Sequence, residues 1–322
     1  MADTVEKEKM EEILSDDIEI GSDIVNDKLE TEIPDANYYI KSGDALECGE
    51  VYEIGSREKR KMLIFIGPAG SGKTTIETSL YQLFQKSSVG GYYFAGSNTI
   101  QAYESRSFYT RIRSKEIVPS TQRTSLEMGK FFLHLRLFNR SNNEMDNFLF
   151  ADLSGELFES HIGRIEETKK DFPFIDRAKY IIGVLDGALL KNKRKKNSTV
   201  ESMLELVQTL YDAELINSEC ILQIIFSKYD LLSDLENADD LLKNIKNSIK
   251  LRLSPLFLNI QFFNIAAMPR DTKIFPVGYG VEDLLKSWKE RQSHIKKNVL
   301  LEEQLNFSEF DKLNRKILGV LE

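Results

Sequence analysis

The chain has 322 residues, 41% of them hydrophobic, enough for one large α/β domain with appendages or for two small domains. No apolar run reaches membrane-spanning length, and two cysteines (Cys48, Cys220) with three histidines exclude a disulfide framework and argue against a Cys/His metal site. The net charge of −8 is concentrated: residues 1–35 hold 13 acidic and 3 basic side chains, a net of −10, so the rest of the chain carries +2 and presents no broad basic surface for nucleic acid.

Residues 1–45 read as an acidic, solubilising tail, expected to be disordered, and the acidic start Met1-Ala2-Asp3-Thr4 is unlike a secretory signal, so a cytoplasmic protein is expected. Glu50–Ile54 is predicted as a short edge strand. Lys61–Ile66 reads as a buried strand, and Thr74–Gln85 as a helix with Ile76, Leu80 and Leu83 on one face. Between them stands Gly67-Pro68-Ala69-Gly70-Ser71-Gly72-Lys73-Thr74, which fits G-x-x-x-x-G-K-[ST]. Strand, glycine loop and helix form a phosphate cradle. Glycines let backbone N–H groups turn inward, and the helix N-terminus adds its positive end. From Gly67 to Thr75 the segment is therefore a candidate phosphate site, with Lys73 reaching the β- and γ-phosphates and the Thr74 hydroxyl a ligand of Mg²⁺.

A long polar stretch, Ser87–Ser125, follows, with a Gly-rich start and a helical pattern at Ile100, Tyr103, Phe108 and Ile112. Phe131–Phe138 alternates as a half-buried strand, Asn139–Asn143 is a turn, and a second strand begins at Phe148, giving a hairpin. At its end stands Asp152-Leu153-Ser154-Gly155-Glu156. A carboxylate at a strand end can hold Mg²⁺ through water, and a glycine three residues on can offer its N–H to a γ-phosphate. Strands are then predicted at 180–185, 221–226 and 260–265, and helices at 200–212, 238–248 and 281–295. The basic run Lys191–Lys196 reads as a solvated turn. The strand at 221–226 ends in Ser227-Lys228-Tyr229-Asp230, whose terminal carboxylate can accept the N1 and N2 donors of guanine, a pair that adenine lacks, while the Lys228 stem lies against the base. The alternation predicts a mostly parallel six-stranded sheet with one antiparallel strand and helices on both faces.

With these motifs in order, residues 60–298 resemble the Ras-like small GTPases of P-loop NTPase fold. The resemblance implies a GTPase domain over 46–298 with an elongated first switch at 87–125, and leaves 299–322 as a helical extension. It assigns Gly67, Gly70, Gly72, Lys73 and Thr74 to the phosphate loop, Asp152 and Gly155 to the second switch, Lys228 and Asp230 to guanine recognition, and Ala267 to the short base loop. Gly90–Ser97, Thr121–Ser125, Asp152–Glu156 and Gly278–Glu282 further resemble the second type of bacterial double-GTPases, which implies a place in a bacterial conflict or defence system. The implied cofactors are GTP/GDP and Mg²⁺, and the implied partner is a protein effector or regulator, with no nucleic acid and no membrane span.

The chain departs from the GTPase pattern at two places. Ser227 replaces Asn or Thr, and its shorter hydroxyl predicts a weaker tie to the phosphate loop. Glu156 replaces the water-orienting Gln. The first-switch ligand is Thr124 by proximity to the 131 strand, with Thr121 and Thr110 also available. Arg123 is the candidate stabilising arginine, and Arg106, Arg111 and Arg113 compete for that role. Two other readings stand beside a GTP-hydrolysing switch: a constitutively loaded scaffold that does not hydrolyse, and an ATP-using P-loop enzyme.

Overall fold

A computed structural model describes residues 42–55, 60–111, 114–115, 121 and 130–288. Arg113, Arg123, Thr124, the tail up to residue 41 and the extension at 299–322 lie outside the described residues. Eight strands form one sheet: β1 (Leu46–Glu47), β2 (Arg60–Ile66), β3 (Tyr92–Gly96), β4 (Phe131–Asn139), β5 (Glu144–Asp152), β6 (Tyr180–Asp186), β7 (Ile221–Ser227) and β8 (Asn259–Asn264). The order is β1-β4-β5-β2-β6-β7-β8, with β3 also paired to β4.

Strands β5, β2, β6, β7 and β8 run parallel, and β4 runs antiparallel to β5 from Phe131↔Asp152 to Asn139↔Glu144. This is the expected hairpin, closed by a turn in which Asn143 takes φ 56. The six expected strands are all present. The two additional ones, β1 and β3, pair antiparallel with opposite ends of β4. Glu50–Ile54 is not a strand but part of the helix α1 (Cys48–Gly55), and the edge strand is Leu46–Glu47 just before it. A five-residue apolar–polar alternation does not separate the two conformations. Tyr92–Gly96 was hidden among its flanking glycines. It pairs through a bulge between Phe94 and Gly96, which its short pattern could not reveal.

Each strand of the parallel core sends alternate side chains to two apolar layers. Met62, Ile64, Ile66, Ile181, Leu185, Ile224 and Phe226 face one layer, with Val207 and Leu210 of the helix Lys196–Asp212 and Ile245 and Ile249 of the helix Ala238–Leu253. Leu63, Phe65, Phe148, Phe150, Ile182 and Val184 face the other, with Ile76 and Leu80 of the helix Lys73–Phe84, Tyr103 of the helix Ile100–Ser107 and Trp288. Such period-two burial on both faces is what parallel strands under two helical layers require.

Trp288 follows the helix Val281–Ser287 and closes the second layer, its ring 5.8 Å from those of Phe148 and Phe150. Its indole N–H donates to Oε1 of the fully buried Gln223 at 2.9 Å, while Gln223 Nε2 donates to Gln261 and Ser287, each at 2.8 Å. Every polar atom of that buried amide is thus satisfied. Trp288→Ala should lower unfolding free energy by about 3–5 kcal/mol in urea titration, through lost burial and an orphaned Gln223 oxygen. A loss below about 1 kcal/mol would mean that this side chain does not close the core.

Candidate nucleotide site

Because β2, β5, β6, β7 and β8 point the same way, the loops that follow them gather at one edge of the sheet. There the strands deliver Gly67–Gly72, Asp152–Gly155, Asp186, Ser227–Asp230 and Ile265–Ala267 respectively. The sheet topology brings together what the sequence spreads over two hundred residues.

In the first loop Gly67, Gly70 and Gly72 take φ values of 146, 74 and 99, and Gly72 caps the helix Lys73–Phe84. The loop therefore curls over the helix N-terminus, where the backbone N–H groups and the helix dipole favour an anion. Lys73 is buried beneath it, donating from Nζ to the carbonyls of Gly67 at 2.8 Å and Pro68 at 3.1 Å. Burial pulls its pKa down to about 8 against the charges of Glu77, Asp152 and Glu159. Gly155 lies directly on the loop: a Cβ there would come within 2.3 Å of the Ala69 nitrogen. Only glycine permits that approach. The hydroxyls of Ser71 and Ser154 are buried around the loop without a hydrogen-bond partner in the protein, as expected where an oxygen-rich ligand completes the site.

Asp152, 3% exposed, is held by Arg106, whose Nε donates to Oδ2 at 2.6 Å. Glu77, one helical turn after Lys73, is buried beside them with its Oε2 unpartnered. Burial, reinforced by the Asp152 charge, holds its carboxyl well above the usual range. The Tyr103 hydroxyl, also buried without a partner, is pushed up by burial and by Glu77. Thr74 opens the helix, half-buried, and its neighbour Thr75 meets the hydroxyl of Thr121 at 3.1 Å. Thr110 is turned away, accepting from Gln82 at 2.8 Å and donating to Ser107 at 2.6 Å. Glu156 lies in the first turn of the helix Gly155–His161, immediately after the glycine that touches the loop. Hydroxyl and carboxylate oxygens, with no nitrogen or sulfur ligand, suit a hard ion such as Mg²⁺ that keeps water and phosphate ligands. Thr74 and Asp152 are the side chains that would hold it.

On the other side of the loop is a cavity of about 340 Å³ lined by Thr75, Ala188, Lys228, Asp230, Ala267 and Arg270, among others. Asp230 Oδ2 accepts the backbone N–H of Arg270 at 3.1 Å, which fixes the carboxylate at the cavity wall. Lys228, at φ 48, arches back so that its Nζ donates to the Gly70 carbonyl at 3.0 Å and to Asp186 Oδ2 at 2.7 Å. The Ser227 hydroxyl, for which the sequence predicts a weak tie, does reach the loop and donates to the Ser71 carbonyl at 2.6 Å. The short side chain reaches because β7 ends close beneath the loop. Residues 265–267 are clamped by the Gly278–Gly280 turn, with Ala266 N–H donating to Tyr279 at 3.1 Å and Gly278 N–H to Ala267 at 2.9 Å. Tyr229 and Tyr279 stack behind them with an interplanar angle of 8°.

Asp186 has a signal in the sequence, an Asp-Gly pair closing an apolar strand, whereas the Arg270 N–H bond to Asp230 and the pairing of Arg106 with Asp152 have none.

The family described as Double-GTPase 2 matches residues 61–289. No curated protein matches. Among solved structures, the chain is similar to the bacterial selenocysteine-specific elongation factor EF-Sec, with 14% identity and TM-score 0.37, covering 72% of this chain and 28% of that one. It is similar to the signal recognition particle receptor SRb-GTP/SRX complex from Chaetomium thermophilum, with 15% identity and TM-score 0.40, covering 71% and 99%. It is also similar to the S. cerevisiae Ski7 GTPase-like domain bound to GDP and inorganic phosphate, with 16% identity and TM-score 0.40, covering 67% and 44%. No helix among the described residues is long and apolar enough to cross a membrane.

The Lys73 geometry has a measurable signature in protein freed of ligand and metal. A lysine at about 8 when folded and near 10.4 when unfolded binds fewer protons in the native state between those values, so stability rises with pH there. The cost of the buried charge is full below pH 8 and fades above it. Relative to Lys73→Met, the wild-type protein should gain about 2 kcal/mol between pH 7.5 and 9.5 in denaturant titrations. Parallel pH profiles for the two proteins would show that Lys73 is not buried as a cation.

Proposed function

The chain belongs to the Double-GTPase 2 family and is a GTP-binding protein; from that premise we propose that it hydrolyses GTP in a Mg²⁺-dependent reaction and works as a conformational switch read by a protein partner. The observation that carries this reading is the joining of the Gly67–Thr74 loop to the Ser227–Asp230 loop over one cavity. One loop has the chemistry for phosphates, the other for a purine edge.

The residues divide the work. The phosphate loop, from Gly67 through Pro68, Ala69, Gly70, Ser71 and Gly72 to Thr75, wraps the phosphates with backbone N–H groups, and Lys73 neutralises their charge. To do so the Lys73 ammonium exchanges its two carbonyl partners for phosphate oxygens. Thr74, Asp152 and a first-switch threonine would hold Mg²⁺, which would supply charge withdrawal from the phosphate oxygens. Thr124 remains the expected threonine, and Thr121 is the described alternative that already stands at the loop. Gly155 offers its N–H to the γ-phosphate. Glu156 orients the attacking water or takes its proton, and Arg123 neutralises charge on the leaving group. Ser227 and Lys228 hold the phosphate loop, Asp230 selects guanine, and Ala267 meets the base through its backbone. The region 97–125 and the segment after Asp152 carry the difference between triphosphate and diphosphate states to the partner. A role in a bacterial defence system, in the cytoplasm and without nucleic acid, completes the proposal.

A non-hydrolysing, GTP-loaded scaffold is the second reading, favoured by Glu156, since a carboxylate facing the γ-phosphate meets like charge. Single-turnover cleavage of GTP separates the two. Phosphate released in step with GTP loss, abolished by Lys73→Ala, supports the enzyme. Full GTP retention over hours, alone and with the partner present, leaves the scaffold.

Base selection is tested by competition. GTP should displace a fluorescent guanine nucleotide far better than ATP, and Asp230→Ala should cost about a hundredfold in GTP affinity, the worth of two hydrogen bonds to a charged group. Equal affinity for ATP, or an Asp230→Ala protein that binds GTP as before, contradicts the guanine assignment.

A further inference from the structure

Behind the phosphate loop three buried ionic side chains, Lys73, Glu77 and Asp152, share one space with the half-buried Arg106. Their pairing is uneven. Lys73 is turned to the loop carbonyls, Arg106 is bound to Asp152, and Glu77 has a carboxylate oxygen that is wholly buried and without a hydrogen bond. A buried carboxyl oxygen in that condition has room for a donor that the surrounding groups do not supply. The fixed points are clear. Arg106 belongs to the helix Ile100–Ser107, which is stapled to the helix Lys73–Phe84 by the stack of Tyr81 on Tyr103 at 4.8 Å and by Tyr81 and Gln85 donating to Glu104, each at 2.9 Å. Glu77 and Arg106 therefore sit on two helices that do not have to separate for them to meet.

We propose that Arg106 is a tethered cation that holds the Asp152 carboxylate until a divalent ion replaces it, and that Glu77 is the carboxylate that receives the displaced guanidinium. The inference rests on the guanine-nucleotide reading above, in which Asp152 is a metal ligand. It assigns to Arg106 and Glu77 a positioning role, not a catalytic one. With the ion absent, the guanidinium offsets part of the Asp152 charge beside the phosphate site. With the ion present, the same guanidinium would repel it, and only movement to Glu77 removes that repulsion while pairing the orphaned oxygen. The exchange makes the metal compete with an internal cation, which sets the Mg²⁺ concentration needed to close the site. It also transmits metal binding into the helix 100–107, whose flank carries the exposed side chains Ile100, Phe108 and Tyr109.

The test is the Mg²⁺ midpoint for binding a fluorescent GTP analogue, measured on the full chain, with Mg²⁺-dependent amide exchange over residues 100–108 as a second readout. Arg106→Gln should lower the midpoint by about tenfold, the ratio that one charge-assisted hydrogen bond supports. Glu77→Gln should raise it severalfold, because the guanidinium then has no carboxylate to go to. In the double variant the Glu77→Gln effect should vanish, since it acts through Arg106. If Arg106→Gln folds poorly by thermal melting, Arg106→Lys keeps a charge with a weaker hold on Asp152 and should still lower the midpoint, by about threefold. An unchanged or raised midpoint in the arginine variants, or a Glu77→Gln effect that persists without Arg106, overturns the proposal. A wild-type protein that binds no guanine nucleotide at any Mg²⁺ concentration overturns the underlying reading instead, and with it this one.

Discussion

The phosphate loop of this protein is held from outside by the loop that follows β7. Ser227 donates to the Ser71 carbonyl and Lys228 to the Gly70 carbonyl, at 2.6 and 3.0 Å. A glycine loop with three left-handed residues has a large conformational entropy to lose, and it cannot order itself. These two hydrogen bonds use carbonyls on the loop's outer side, and so leave the inner N–H groups for an anion. They also fix the distance between the phosphate cradle and the Asp230 carboxylate. In the proposed reading, base selection by Asp230 and phosphate binding by the glycine loop thus share one mechanical link.

The rest of the site is arranged around that link. Asp186 at the end of β6 accepts from Lys228 and donates rigidity to its arch, and it also caps the following helix by accepting from Ala188 N–H at 2.8 Å. The Gly278–Gly280 turn clamps the Ile265–Ala267 loop from behind, with the Tyr229–Tyr279 stack as backing. On the far side the packing is polar and internally charged, with Arg106, Asp152 and Glu77 in place of apolar contacts. The base side is tied by backbone and side-chain hydrogen bonds, whereas the Asp152 side rests on ionic groups. In the switch proposed above, that second side is the half that would rearrange.

Much of this was legible in the sequence. The phosphate loop announced itself because its glycine spacing, the preceding apolar strand and the following helix agree. The parallel strands at 180, 221 and 260 were visible as apolar runs alternating with helical periods. What was not legible has physical reasons. Leu46–Glu47 is too short to carry a pattern, and Cys48–Gly55 has a period that eight residues do not establish. Tyr92–Gly96 is a strand because β4 offers it an edge, a tertiary cause. The Arg106–Asp152 pair joins residues 46 apart, and no local rule relates them. The reach of Ser227 is not legible from side-chain length, because the backbone of β7 supplies the proximity.

One guanine nucleotide is proposed to sit between the Gly67–Thr74 and Ser227–Asp230 loops, and the nucleotide content of protein purified in Mg²⁺, denatured and separated by ion-exchange chromatography tests this. About one GDP or GTP per chain is expected, as for a single enclosed ligand pocket. An adenine nucleotide in its place, or an empty protein that takes up ATP in preference to GTP, rules out a guanine site there.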